Sequence, residues 1–353
     1  MSADDRPSRR ARQQAVRAAP AARATRDHHP ARTSRPVPPA PQPAPGERVV
    51  LPRDQDDVEL RFGRRTVRLT NLRKPFWKEL GLTKGDLLQY YADVAPALLP
   101  HLRDRAMVMR RYPNGAEGDS FFMKRTPSPR PDWLQTCSIE HGTGNVIDFP
   151  MIQDVLALLW VVNLGCIDLN QWYATCDDVD RPDVLHFDLD PVPGGTWRQV
   201  LETALAVRAG LDALGMPSLA KTTGSRGMHV YVPIVRGPVQ KEVWSFAKRF
   251  SQSLASLHPK LMTAVYKVAD RPQDRVLVDY NQNAWGRTLA SVYSVRPRPL
   301  ATVSMPVTWD EVERGVRTED FRIHNAPARI AERGDLWAPL LADEGRFDLR
   351  RLL

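Results

Sequence analysis

The sequence predicts an α+β fold, helices mixed with short strands, behind a disordered N-terminal tail. Three observations carry this. Four segments place apolar residues at helical spacing, and five short β-rich runs lie between them without a clean βαβ repeat. The first 48 residues show neither pattern.

The tail is rich in Ala, Arg and Pro and ends in Pro36, Pro38, Pro39, Pro41, Pro43 and Pro45. That spacing favours extended polyproline segments and offers no core to bury. Residues 1–50 hold ten arginines against Asp4, Asp5, Asp27 and Glu47, so six of the nine net positive charges lie there. Residues 1–48 are expected to be disordered, either as an electrostatic tether to DNA or as a solvated extension. Residues 49–353 are expected to form a single domain.

Leu87, Leu88, Tyr91, Val94, Ala95 and Leu98 predict a helix over 84–99, stopped by Pro100. The segment 151–164 is apolar on most sides and reads as a buried helix. Thr196 caps a helix carrying Val200, Leu201, Leu205, Leu211 and Leu214, and Gly215 ends it. A fourth, amphipathic helix is expected over 240–257. The β-rich runs are 107–109, 184–189, 229–234, 276–280 and 289–294.

Composition is that of an ordinary soluble chain, 42% hydrophobic and 26% charged. The longest apolar run, 155–167, is broken by Asn163 and is too short to span a bilayer, so no membrane role is expected. Arg and Pro fill the region where a signal peptide would be apolar. Cys137, Cys166 and Cys176 give no even framework and no CxxC pair, which predicts free thiols and a reducing cytoplasm. Cys137 and His141 resemble half of a zinc site that has no second half.

Chemistry concentrates in three clusters. In His186-Phe187-Asp188-Leu189-Asp190-Pro191 the strand period sends Asp188 and Asp190 to one face, while Phe187 and Leu189 point to the core. Two carboxylates side by side repel unless a cation lies between them. The second cluster is Thr222-Thr223-Gly224-Ser225-Arg226-Gly227-Met228-His229, which leads into an apolar strand. Its glycines permit a tight turn whose N–H groups point at an anion, with Ser225, Arg226 and His229 as further donors for a triphosphate. An ordinary hairpin turn with an exposed Arg is the alternative. In the third cluster Asp279 closes the apolar strand Val276-Leu277-Val278. One carboxylate pair and one single acid suit a site for two cations. Downstream, Arg287 and Arg296 offer phosphate contacts.

A D-x-D strand, then S-x-G-x-H, then an Asp closing a strand resembles the archaeo-eukaryotic primase superfamily, and more closely the polymerase domain of bacterial ligase D. The resemblance runs from about Asn71 to Arg296. It implies a primase-polymerase core, an RRM-like antiparallel sheet flanked by helices, with an N-terminal α/β module. It implies Asp188, Asp190 and Asp279 as ligands of two divalent ions, Mn2+ or Mg2+. Ser225, Arg226, His229 and Arg296 would grip the nucleotide triphosphate, with Arg110 and Arg287 as helpers. Asn71-Leu72-Arg73-Lys74 and Leu82-Thr83-Lys84-Gly85-Asp86 look like the family's binding elements for a downstream DNA 5′-phosphate, which assigns Lys74 and Lys84 that role. Phe121 and Phe122, after Arg110-Arg111-Tyr112-Pro113-Asn114-Gly115, would stack on template bases, unless one of them belongs to the core.

The expected activity is DNA-templated extension of a primer 3′-hydroxyl, with ribonucleotides preferred. Its substrates would be gapped or broken, 5′-phosphorylated DNA and an NTP or dNTP. Ku or a separate DNA ligase would be the protein partners of a monomer working in the cytoplasm at the nucleoid. No K-x-D-G ligase signature is present, so a stand-alone relative of the actinobacterial kind is expected, in excision repair or end joining. Two rivals remain. Asp188-Leu189-Asp190-Pro191-Val192 also fits the haloacid-dehalogenase phosphatase pattern, which needs a Rossmann-like sheet and a later acidic pair. A DNA-end binding protein without catalysis is the other.

Overall fold

The computed structural model describes residues 32–33 and 48–353. The expected disordered tail thus lies outside the described residues, except that Arg32–Thr33 form a short strand, β1, and Arg48 is already tied to the fold by an ion pair with Asp93. The N-terminal half runs β2 (Val58–Phe62), β3 (Arg65–Leu69), β4 (Pro75–Trp77), β5 (Leu82–Thr83), α1 (Lys84–Leu102), β6 (Met107–Arg111), β7 (Phe121–Met123), β8 (Thr136–Glu140), β9 (Val146–Pro150), α2 (Val155–Asn163) and β10 (Cys166–Gln171). The second half runs β11 (Val184–Pro191), α3 (Trp197–Asp212), β12 (Leu219–Thr222), β13 (Met228–Pro233), α4 (Gln240–Leu257), β14 (Met262–Thr263), β15 (Val276–Asp279), β16 (Pro306–Val307), α5 (Trp309–Glu313) and α6 (Ala326–Arg333).

The second half is built on one six-stranded sheet in the order β14-β15-β11-β13-β12-β16. Only the β14–β15 pair is parallel; β11 has antiparallel neighbours on both sides. That arrangement is not the Rossmann-like sheet the phosphatase reading requires. Helices α3 and α4 cover one face, where Leu185, Phe187 and Leu189 are fully buried and the Phe187 ring lies 4.9 Å from Phe250. The opposite face carries the polar residues. In the first half, α1 packs on α2, and the β10-β6-β7 sheet and the β4–β5 hairpin adjoin them. Tyr90 and Tyr91 of α1 tie the halves together: the Tyr90 hydroxyl donates to the Tyr293 carbonyl at 2.8 Å, and the Tyr91 hydroxyl accepts from the Val295 N–H at 3.0 Å.

Two helices begin where they were expected, behind a cap. Thr83 and Thr196 each cap a helix and close a capping box with Asp86 and Gln199. Asp154 caps α2, accepting from the Ala157 N–H at 2.9 Å, so this helix begins four residues later than 151. Pro100 does not stop α1. The helix continues to Leu102 because Leu98, Leu99 and Leu102 are buried, and packing overrides the proline's missing donor.

Two expectations are corrected. The run 289–294 is no strand: Tyr293 has φ +59, and the segment's N–H groups go to scattered partners, Ser291 to the Leu169 carbonyl and Tyr293 to that of Ser304. It is a buried irregular segment whose apolar side chains mimic a strand pattern. The cysteines are not all free either. Cys137 of β8 and Cys176, after β10, form a disulfide across a Cα separation of 6.0 Å, leaving only Cys166 as a buried thiol. A 39-residue separation concealed that pairing, and cysteine usage therefore no longer argues for a compartment. Among the described residues no helix is long and apolar enough to cross a membrane.

Candidate active site

Register builds the centre of the site. Asp188 on β11 lies directly opposite Asp279 on β15 and opposite His229 on β13, and His229 in turn opposes Lys221 on β12. Four ionisable side chains thus form one row across four strands, with Asp190 two residues along β11 on the same face. Burial, and then the charge of Asp279, push the Asp188 carboxyl up to about 7. The charge of Asp188, and then burial, push Asp190 up to about 7 as well. The Nε2 of His229 is 3.2 Å from Asp188 Oδ1, yet burial and the charges of Lys221 and Arg296 hold this imidazole well below its ordinary range, hence neutral. Lys221 is enclosed, and its Nζ donates to the Ala290 carbonyl at 3.0 Å and to Ser304 Oγ at 2.6 Å.

Among the described residues no three His, Cys, Asp or Glu side chains already converge as a metal cage. Asp279 is already hydrogen-bonded: its Oδ1 accepts from the Asn281 N–H at 2.8 Å and its Oδ2 from Gln282 Nε2 at 3.1 Å. Each of those oxygens keeps a second lone pair free to ligate. The residues fit divalent cations on the chemistry of the donor set. Three hard oxygen donors stand side by side, two of them protonated near neutrality by mutual repulsion and burial, a penalty that a cation would remove.

The turn between β12 and β13 presses directly on this row. A Cβ on Gly227 would come within 2.1 Å of the Leu189 carbonyl and 3.1 Å of Asp190 Oδ1, so only glycine allows the approach. Gly224, at φ +65, packs against Arg296 and the backbone of Ser304 in the same way. The Ser225 and Gly227 N–H groups do not point outward as expected; both donate to Thr223 Oγ1, at 3.0 and 3.2 Å. Donors for an anion therefore come from side chains. Arg226 is exposed, and its charge reaches Asp190. Ser225 Oγ accepts from both Nε, at 3.0 Å, and Nη2 of Arg298. Arg296 Nε stands 3.1 Å from Asp168 Oδ1, and the same buried carboxylate holds Arg110 Nη1 at 3.5 Å and accepts from the Tyr112 hydroxyl at 3.2 Å.

Asp188, Asp190, Asp279, Ser225, Arg226, His229 and Arg296 are thus brought together, and Arg110 joins through Asp168. Arg287 is not drawn in; it is exposed in the turn after β15 and makes no ion pair among the described residues. Lys221, Asp168 and Arg298 were not singled out from sequence. A lone Asp inside the apolar strand β10 was the one available signal for Asp168, and Arg-Pro-Arg at 296–298 for Arg298.

The β4–β5 hairpin joins the two lysines expected at a DNA end, with the Lys84 N–H donating to the Lys74 carbonyl at 2.8 Å. Lys74 is exposed and its Nζ donates to the Pro113 carbonyl at 2.7 Å. Lys84 is nearly enclosed. Its Nζ donates to the Thr70 carbonyl at 2.6 Å and Asn163 Oδ1 at 2.7 Å, and burial, then the charge of Lys74, lower it to about 8. Phe121 and Phe122 on β7 are both exposed, at 46% and 63%, so neither is a core residue. Each ring has an arginine 5.4 Å from its centroid, Arg111 and Arg110 respectively.

Comparisons with known proteins follow this geometry. The profile of the LigD primase-polymerase domain matches residues 83–337. The multifunctional non-homologous end joining protein LigD of Mycolicibacterium smegmatis is 35% identical over 279 residues, covering 78% of this chain and 36% of that protein. Its namesake in Pseudomonas aeruginosa is 31% identical over 293 residues, covering 81% and 34%. The chain therefore spans about a third of the length of these curated relatives. The solved polymerase domain from Mycobacterium tuberculosis ligase D, in complex with DNA, superposes with a TM-score of 0.73 at 31% identity, covering 78% of this chain and 98% of that one.

Proposed function

The chain belongs to the LigD primase-polymerase domain family, a family of DNA-directed nucleotidyltransferases, and on that premise we propose that it extends a primer 3′-hydroxyl with NTPs to fill short gaps bounded by a 5′-phosphorylated strand. The observation that carries this reading is the cross-strand register of Asp279 with Asp188, with Asp190 on the same face and the Ser225–His229 turn pressed against it. Acids that repel one another beside a cluster of arginines suit a reaction between two anionic groups.

Asp188, Asp190 and Asp279 would hold two divalent ions, Mn2+ or Mg2+, which when bound supply charge neutralisation for the attacking and leaving oxygens. Arg226, Arg296 and Ser225 would hold the triphosphate so that its α-phosphorus faces the primer terminus in line. Neutral His229 carries a single ring N–H, which it would give to the Asp188 carboxylate or to a phosphate oxygen, but not to both. Asp168 keeps Arg296 and Arg110 extended toward the nucleotide. Lys74 would take the downstream 5′-phosphate. Lys84 would join once its Nζ releases the Thr70 carbonyl. Phe121 and Phe122, exposed and backed by arginines, would stack on template bases without sequence preference. Ribonucleotide preference, partnership with Ku or a separate ligase, and work in the cytoplasm at the nucleoid belong to the same reading.

The test is extension on a short-gapped duplex carrying a downstream 5′-phosphate, with rNTPs and dNTPs compared in Mn2+ and Mg2+. Incorporation that stops at the gap's far edge supports the reading. DNA binding without incorporation in either metal would leave a non-catalytic gap-binding protein instead.

A further inference from the structure

We propose that Trp77 and Arg298 are positioning residues that couple the 5′-phosphate site to the nucleotide site, so that a phosphorylated downstream end tightens the incoming nucleotide. The inference rests on the reading of Lys74 and Ser225 just given and adds an energetic link between them.

Lys74 immediately precedes β4, a strand of three residues that ends at Trp77. Trp77 is fully buried, and its Nε1 donates to the Arg298 carbonyl at 2.9 Å across 221 residues of sequence. An N–H that deep has no water to replace its partner, so the contact is costly to break. From the same residue the Arg298 guanidinium turns to the triphosphate turn, where Nε and Nη2 both donate to Ser225 Oγ. One residue therefore holds the DNA-end strand by its backbone and the nucleotide turn by its side chain.

The parts on either side are each knit together by further contacts. The Phe76 carbonyl accepts from the Ala116 N–H at 2.8 Å, and a Cβ on Gly115 would stand 2.9 Å from that oxygen, so β4 is locked to the 112–116 turn that also supplies Lys74's present acceptor, Pro113. On the other side the Arg298 N–H donates to the Arg296 carbonyl at 2.7 Å, and the Ala301 N–H to the Arg298 carbonyl at 2.9 Å. Arg296 itself packs against Gly224, and Thr302 Oγ1 donates to the Gly224 carbonyl at 2.5 Å. A phosphate that draws Lys74 Nζ off Pro113 pulls on β4, and the displacement reaches Arg298 and Ser225 through two hydrogen bonds. A chain of contacts is not by itself coupling, so the proposal is stated as a measurable free-energy linkage.

The experiment measures the apparent Kd of the templated NTP by single-turnover titration in Mn2+, on gapped duplexes that differ only in the downstream 5′-phosphate. In the wild type the phosphate is expected to tighten the nucleotide about fivefold or more. Trp77→Phe, which keeps a ring but loses the N–H, and Arg298→Met, which keeps the carbonyl but loses the guanidinium, should each reduce that ratio below about twofold. The double variant should go no further than either, since both break one path. By reciprocity the NTP should raise the preference for the phosphorylated over the unphosphorylated gap by the same factor in the wild type and not in either variant. A wild type that prefers phosphorylated gaps but binds NTP equally well on both overturns the coupling. So does Trp77→Phe with the full ratio retained. If Trp77→Phe does not fold, Arg298→Met decides by the same ratio. A wild type with no incorporation, or with no preference for phosphorylated ends, sinks the underlying function instead and the coupling with it.

Discussion

The acidic row on the six-stranded sheet and the lysine hairpin of the N-terminal half meet their charges in opposite ways. Asp188 and Asp190 stand on one face beside Asp279, and burial and mutual repulsion force both up to about 7. Lys74 and Lys84 are already satisfied, one by a carbonyl and the other by a carbonyl and an amide oxygen. On the proposed function the first region, poised by repulsion, would gain stability on binding cations. At the second a phosphate would have to displace neutral acceptors, so its net gain would be smaller.

Substitutions in the acidic row break the comparison hardest. Asp188→Ala and Asp190→Ala should each lower primer extension by on the order of a thousandfold or more, as loss of a metal ligand removes several kcal/mol of transition-state stabilisation, while gap binding by electrophoretic shift stays near wild type. Arg296→Ala removes a charged phosphate donor and should raise the nucleotide KM roughly 10- to 100-fold, with a loss of about 1.5–3 kcal/mol. At the hairpin, Lys74→Ala should cost about tenfold or less in preference for a 5′-phosphorylated gap, read as the ratio of affinities with and without the phosphate. Lys84→Met is different in kind. It strands the Thr70 carbonyl and leaves Asn163 Oδ1 with the Thr70 N–H as its remaining donor, at 2.9 Å, and should lower unfolding stability by about 1–3 kcal/mol in a denaturant titration.

The pH dependence sharpens the same contrast. Carboxyls raised from an unfolded value near 4 to about 7 hold more protons in the folded than in the unfolded state across that window. Their contribution therefore makes metal-free protein less stable as pH rises from about 4 to 7. Mn2+ must displace those protons, so the rise in Tm caused by Mn2+ over EDTA should be small at pH 5 and larger at pH 7.5. An equal shift at both would place the cation elsewhere.

How much of this was legible follows from what local sequence encodes. The D-x-D pair stands in a string whose strand period alone places both acids on one face, the Ser225–His229 turn and Asp279 stand in equally short strings, and α4 ran over 240–257 as its spacing implied. Partners set by long-range register were not visible. Lys221 enters the row only because β12 pairs with β13, and Asp168 matters only because Arg110 and Arg296 both reach it from distant segments. The N-terminal half was hard to read because its strands other than β10 are two to five residues long, too short for a period to declare itself. The segment 289–294 misled for the converse reason: its apolar residues are buried, but Tyr293 in the left-handed region bars a ladder. The disulfide between Cys137 and Cys176 depends on a meeting of strand β8 with the segment after β10 that spacing does not announce.

The most direct test of the central claim is single-turnover extension on a 5′-phosphorylated gapped duplex in Mn2+, comparing wild type with Asp188→Asn, a near-isosteric change that removes the charge. The account predicts robust nucleotide addition by the wild type and none by the variant, with both binding the gap alike. Nucleotide addition by Asp188→Asn at a rate close to wild type would contradict it.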